Sequence, residues 1–77
     1  MKTHEQRTRI ARARLLAQRM WCKACAWDGM PVDTMFAAFS DGNPYALAFD
    51  RAAGLLNLTA RNVGNEQRKA AHSLRIL

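Results

Sequence analysis

Apolar residues recur at three- and four-residue intervals along most of this 77-residue chain. Ile10, Ala13, Ala17, Met20, Ala24 and Trp27 form one stripe, widened by Leu16. That spacing predicts an amphipathic helix of about six turns. Thr3 and Gln6 fit a capping box at its start, and Gly29 followed by Pro31 ends it. A short second helix is expected over Pro31 to Phe39, with Val32, Met35, Phe36 and Phe39 in one apolar set. The run from Ser40 through Asp41, Gly42 and Asn43 to Pro44 is the strongest turn signal in the chain.

Asn43 can cap a third helix with Pro44 in its first position. That helix is expected to reach about Leu56 and to bury Tyr45 or Leu47, Phe49, Ala52, Ala53 and Leu56. Asn57 tolerates the left-handed backbone of a sharp exit, and Thr59 can cap a fourth helix running to about Leu74. Val63, Ala70, Leu74 and Leu77 give that helix its apolar face, interrupted by Gln67. The expectation is an all-α domain of four small helices. Abundant Ala with scarce Val and Ile favours helix over strand in the same way. One chain of this length is a single small domain near the lower limit for a self-sufficient core.

Residues 49–68, FDRAAGLLNLTARNVGNEQR, resemble the helix-turn-helix of DNA-binding regulators. Ala53 is small where two helices would cross. Leu56, Leu58 and Val63 are apolar where the inside of the angle is filled, and Asn57 stands at the turn. The last two predicted helices would form the motif's pair. The resemblance implies that the helix after Thr59 enters the major groove of duplex DNA. Thr59 would cap it and touch phosphate, while Ala60, Arg61, Gly64, Asn65, Arg68 and Lys69 would face the groove or backbone. The sequence departs from the motif at Glu66, where an apolar anchor is usual, and in carrying Gly64 inside the recognition helix. A plain helical hairpin with a tight Leu-Asn-Leu-Thr turn satisfies the same pattern.

Charge sharpens the picture. The net charge is +6. Residues 1–23 carry +6, residues 24–60 carry −3 and residues 61–77 carry +3, so basic ends flank an acidic middle. A polyanionic partner is the direct reading of such ends. Arg7, Arg9, Arg12 and Arg14 are candidates for holding phosphates. Their stems can equally cover the edges of the apolar stripe. Segment 5–27 also looks like the arginine-rich RNA-binding helices of phage antiterminators, although its own apolar stripe favours packing within the fold.

Trp21, Trp27, Met30, Phe36 and Phe39 are more large side chains than so small a core readily buries. They are expected to supply a homodimer interface or, in the alternative reading, a patch through which a small phage-type protein binds a host protein. An acidic partner surface would suit the arginines in that case. The Arg- and Ala-rich style suggests a bacterial or phage chain.

Little points to an enzyme or a cofactor. Cys22 and Cys25 make a C-x-x-C pair, but late in a helix and without the βαβ context of redox proteins. His4 and His72 have no zinc-ligand spacing with them. Two reduced thiols in a cytoplasmic protein are expected. No apolar run is long enough for a transmembrane span, and the start MKTHEQRTRIARAR lacks the apolar core of a secretion signal.

Overall fold

The computed structural model describes the backbone of residues 2–76 and side chains as far as Ala71. It is a helical hairpin. Helix α1 spans His4–Asp28, a single 3₁₀ turn spans Phe36–Ala38, and helix α2 spans Pro44–Ile76. The two long helices pack against each other in a rod of 57 × 20 × 17 Å. The all-helical class is as expected, but the described residues form two α-helices, not four.

Local chemistry sets three of the four ends as the sequence suggests. The Thr3 hydroxyl accepts from the Gln6 amide at 3.1 Å, and the Gln6 side chain accepts from the Thr3 amide at 2.9 Å. This reciprocal box satisfies two of the first turn's otherwise unpaired donors. At the other end of α1, Gly29 sits at φ 63°, a left-handed conformation that L side chains rarely adopt. Its amide donates to Ala26, and Met30 donates to Cys25 at 2.8 Å, which closes a Schellman turn. Asn43 caps α2, its Oδ1 accepting from Tyr45 at 3.0 Å and Ala46 at 3.2 Å. Pro44 follows in the first helical position.

The expected second helix does not form. Trp21 Nε1 donates to the Val32 carbonyl at 2.7 Å, and Met35 is extended at φ −90°, ψ 146°. With that carbonyl committed to an indole and the backbone extended, only the turn at Phe36–Ala38 remains helical. Val32 and Met35 consequently stand in solvent, 66% and 75% exposed.

The expected break at Asn57–Thr59 does not form either. Residues 44–76 are one helix, and among the described residues none other than Gly29 has positive φ. The Thr59 hydroxyl, instead of capping a new helix, donates backward to the Leu55 carbonyl at 2.8 Å. That is the i−4 bond of a Thr inside a continuing helix. Leu, Asn and Thr all tolerate a helix interior, so nothing local stops it once α1 offers a surface to pack on. Val63, fully buried, needs the helix to run on past residue 59. The helix-turn-helix-like pair is therefore one continuous helix.

Packing is close and thin. Ile10, Ala17 and Ala24 are buried on α1 at seven-residue spacing, the period that keeps one seam facing a partner helix. Ala46, Ala52 and Val63 are buried on α2. Of the alternatives Tyr45 and Leu47, Tyr45 packs against the core and Leu47 is 59% exposed. Trp21 stacks edge-on against Phe39 at 5.0 Å and Phe49 at 4.8 Å, closing the loop end. The apolar positions expected at Leu74 and Leu77 lie outside the described side chains, as does His72.

Candidate nucleic-acid interface

The hairpin has a closed end, where residues 29–43 cross between helices, and an open end, where the start of α1 lies beside the later part of α2. The open end is pinned by Glu66. Its carboxylate accepts from Arg9 at 2.7 Å and from Gln6 Nε2 at 2.8 Å. These two bonds, Arg9 first, hold the Glu66 pKa below its ordinary value. Glu66, one of the two departures from the DNA-binding motif, is thus the residue that ties the two helices together.

This pairing brings the two basic segments of the sequence to one place. Arg7, Arg9, Arg12 and Arg14 come from α1, and Arg61, Arg68 and Lys69 from α2, all exposed. Among the described residues the only salt bridge is Arg9–Glu66, so the other six cations of this set face water without a carboxylate partner. Arg7 donates to the Lys2 carbonyl at 3.3 Å. On α2, helical spacing puts Arg61, Asn65 and Arg68 on one outward stripe. Arg68 donates to Asn65 Oδ1 at 2.7 Å, which orients both side chains along it. Ala60 is exposed beside this stripe and Gly64 half-buried. Thr59 is half-buried, its hydroxyl proton already committed to Leu55. The expected contacts therefore surround the open end of the rod instead of lining one recognition helix.

The closed end has a different character. Asp28 accepts from the Ser40 amide at 2.9 Å, the Ser40 hydroxyl at 2.8 Å and Asn43 Nδ2 at 2.9 Å. The Ser40 amide, then the two side-chain donors, keep its pKa below the ordinary value. The same Asn43 amide donates to the Ala24 carbonyl at 2.9 Å. Asp33 and Asp41 lie exposed in the crossing segment, and Asp50 is exposed in the early part of α2. Arg19, Lys23 and Arg51 offset most of these aspartates, so the closed half, residues 17–56, carries −1 against +6 for residues 2–16 and 57–71 of the open half.

The aromatic residues expected at a protein interface divide. Phe39 is buried, and Trp21 and Met30 pack against the core cluster it belongs to. Trp27 and Phe36 remain 58% and 45% exposed, Trp27 edge-on to Tyr45 at 5.9 Å. Sequence reasoning missed Leu16, Leu55 and Leu58 as surface residues; they are 45%, 56% and 50% exposed. The signal was an apolar stripe wider than one neighbouring helix can cover.

Cys22 is exposed and Cys25 buried, both as free thiols. Burial is the main force pushing the Cys25 thiol above its ordinary pKa, which disfavours the reactive thiolate. Among the described residues no three His, Cys, Asp or Glu side chains converge as metal ligands, and no helix is long and apolar enough to cross a membrane. Comparison with family models, curated proteins and solved structures gives no match to this chain.

Proposed function

We propose that this protein binds duplex DNA through its phosphate backbone, using the basic open end of the hairpin. The observation that carries this reading is the antiparallel pairing of α1 with α2, fixed by Gln6 and Arg9 on Glu66. It gathers Arg7, Arg12, Arg14, Arg61, Arg68 and Lys69 around one end of a narrow rod. Arginine presents a planar fork of donors matched to phosphate oxygens, and its charge persists at any physiological pH. Contacts of this kind position a protein on a duplex without reading its sequence. The exposed stripe of Arg61, Asn65 and Arg68 adds donors that could reach base edges once phosphates hold the rod in place.

The test is fluorescence anisotropy of a labelled duplex across a salt series. Six neutralised phosphates correspond to a slope of about −5 in log K against log salt. The double variant R61E/R68E should bind far more weakly, whereas D41N at the closed end should bind like the parent. No binding to duplex at low salt, or equal binding by R61E/R68E, would overturn the proposal.

A further inference from the structure

The chain exposes 6033 Å². A folded monomer of 8.7 kDa is expected to expose about 4,700 Å². The excess, about 1,300 Å² by that scaling, exceeds the ~800 Å² that each partner buries in a standard interface. The core is correspondingly thin: among the described residues it is eight buried apolar side chains, four of them alanine. Two helices make one layer, and a stable helical domain packs one layer on another.

Among the described residues, two of the nine exposed large apolar side chains, Leu16 and Leu55, mark one uncovered groove. They line it with Ala13 and Thr59 toward the open end, and with Met20 and Ala52 toward the closed end. Leu16 is the central residue of α1, so the patch sits at the midpoint of the paired helices. Large side chains alternate with alanines along it. A leucine from a facing surface of the same kind would drop between them.

We infer that this face is where a second copy of the chain docks, forming an antiparallel four-helix bundle about a two-fold axis through the Leu16–Leu55 patch. A self-complementary patch at the midpoint of a rod lets both copies overlap along their full length. Charge selects the direction. The open half, residues 2–16 and 57–71, carries +6, and the closed half, residues 17–56, carries −1, so antiparallel copies set each basic open end beside the partner's nearly neutral closed end. Parallel copies would bring two basic ends together. Arg12 and Arg51 flank the groove. Their stems can lie along its edge with the guanidinium groups in water.

Sedimentation equilibrium of the full chain over a concentration series should give twice the 8.7 kDa chain mass. L16E and L55E should each give a monomer that keeps its helical circular dichroism, because both side chains are already half-exposed in the single hairpin. L47E, on an exposed leucine outside the groove, should leave the dimer intact. A C22A/D41C variant, spin-labelled at the loop tip, should show a tip-to-tip separation approaching the 57 Å length of the rod. A monomer at every concentration, a dimer indifferent to L16E and L55E, or labels in contact would overturn the proposal.

Discussion

Asn43 and Asp28 meet through a 2.9 Å hydrogen bond, Nδ2 donating to the carboxylate from a position that is only 1% exposed. The same amide donates to the last turns of α1 at Ala24, and its Oδ1 caps α2. One side chain therefore braces the last turns of α1, starts α2 and fixes the spacing between them. Losing an Asn cap costs about 1 kcal/mol. Losing the bonds from its buried amide to Ala24 and Asp28 adds about 1 kcal/mol more. N43A should lower the unfolding free energy by about 2 kcal/mol in urea titrations. A change within a few tenths would mean that the clasp does not hold the hairpin together.

The acid response follows from two carboxylates. Asp28 is held below its ordinary pKa chiefly by the Ser40 amide, and Glu66 chiefly by Arg9. A group with a depressed folded-state pKa binds protons more readily when unfolded. Its stabilisation is complete above the unfolded-state value and is lost as pH falls through the folded-state value. Stability should be flat from neutrality down to the ordinary carboxylate range and then decline. D28N should flatten that decline, measured as unfolding midpoint against pH, and E66Q should flatten it less, because its pair with Arg9 is exposed. An acid limb identical in both variants and the parent would show that other groups govern it.

Gly54 and Gly64 both lie inside α2. A Cβ at Gly54 meets nothing within 4 Å, and one at Gly64 meets only the Arg68 guanidinium at 3.9 Å. Neither needs a positive φ. Glycine in a helix interior is about 1 kcal/mol less favourable than alanine. G54A and G64A should each raise stability by about that amount in thermal or urea unfolding. Loss of stability in either would mean that the helix bends or is approached closely at that glycine.

Thr59 distinguishes a continuous helix from a helix pair most directly. A Thr that caps a helix loses about 1 kcal/mol on mutation to Ala. A Thr that bonds backward to Leu55 inside a helix loses little, and Ala is the better helix former. T59A should therefore be neutral or slightly stabilising. A clear loss of stability would restore the turn.

These contrasts show what the sequence made legible. Thr3 with Gln6, Gly29, and Asn43 with Pro44 act within a few residues of themselves, so their roles could be read from the chain alone. The break at Asn57 could not be judged in that way. Asn and Thr are compatible with both a turn and a helix interior, and the surface offered by α1 decides between them. Val32 to Met35 had helical spacing, but the Trp21 indole claims the Val32 carbonyl from eleven residues away. The basic residues of the site were visible individually. Their assembly at one end depends on the antiparallel course of α2, which spacing does not encode. Glu66 looked like a defect in a motif and is instead the anchor of the open end.

Glu66 also offers a test of the proposed DNA binding that leaves untouched the arginines proposed to hold phosphates. It is the carboxylate to which Arg9 is bonded, and both side chains are exposed, at 41% and 46%. Exposed pairs of this kind contribute little to stability, so E66Q should leave the hairpin folded. It removes one negative charge from the basic end and frees Arg9 for a further phosphate. Each added phosphate contact steepens the salt slope by about 0.9. E66Q should therefore bind duplex DNA more tightly at low salt and show a slope steeper by up to that amount. The added charge and the added contact act in the same direction, and both weaken as salt rises. Binding unchanged by E66Q while R61E/R68E abolishes it would restrict the interface to the outward stripe of α2. Weaker binding by E66Q, with the helices still folded, would show that the tie between α1 and α2 matters more to the interface than its charge.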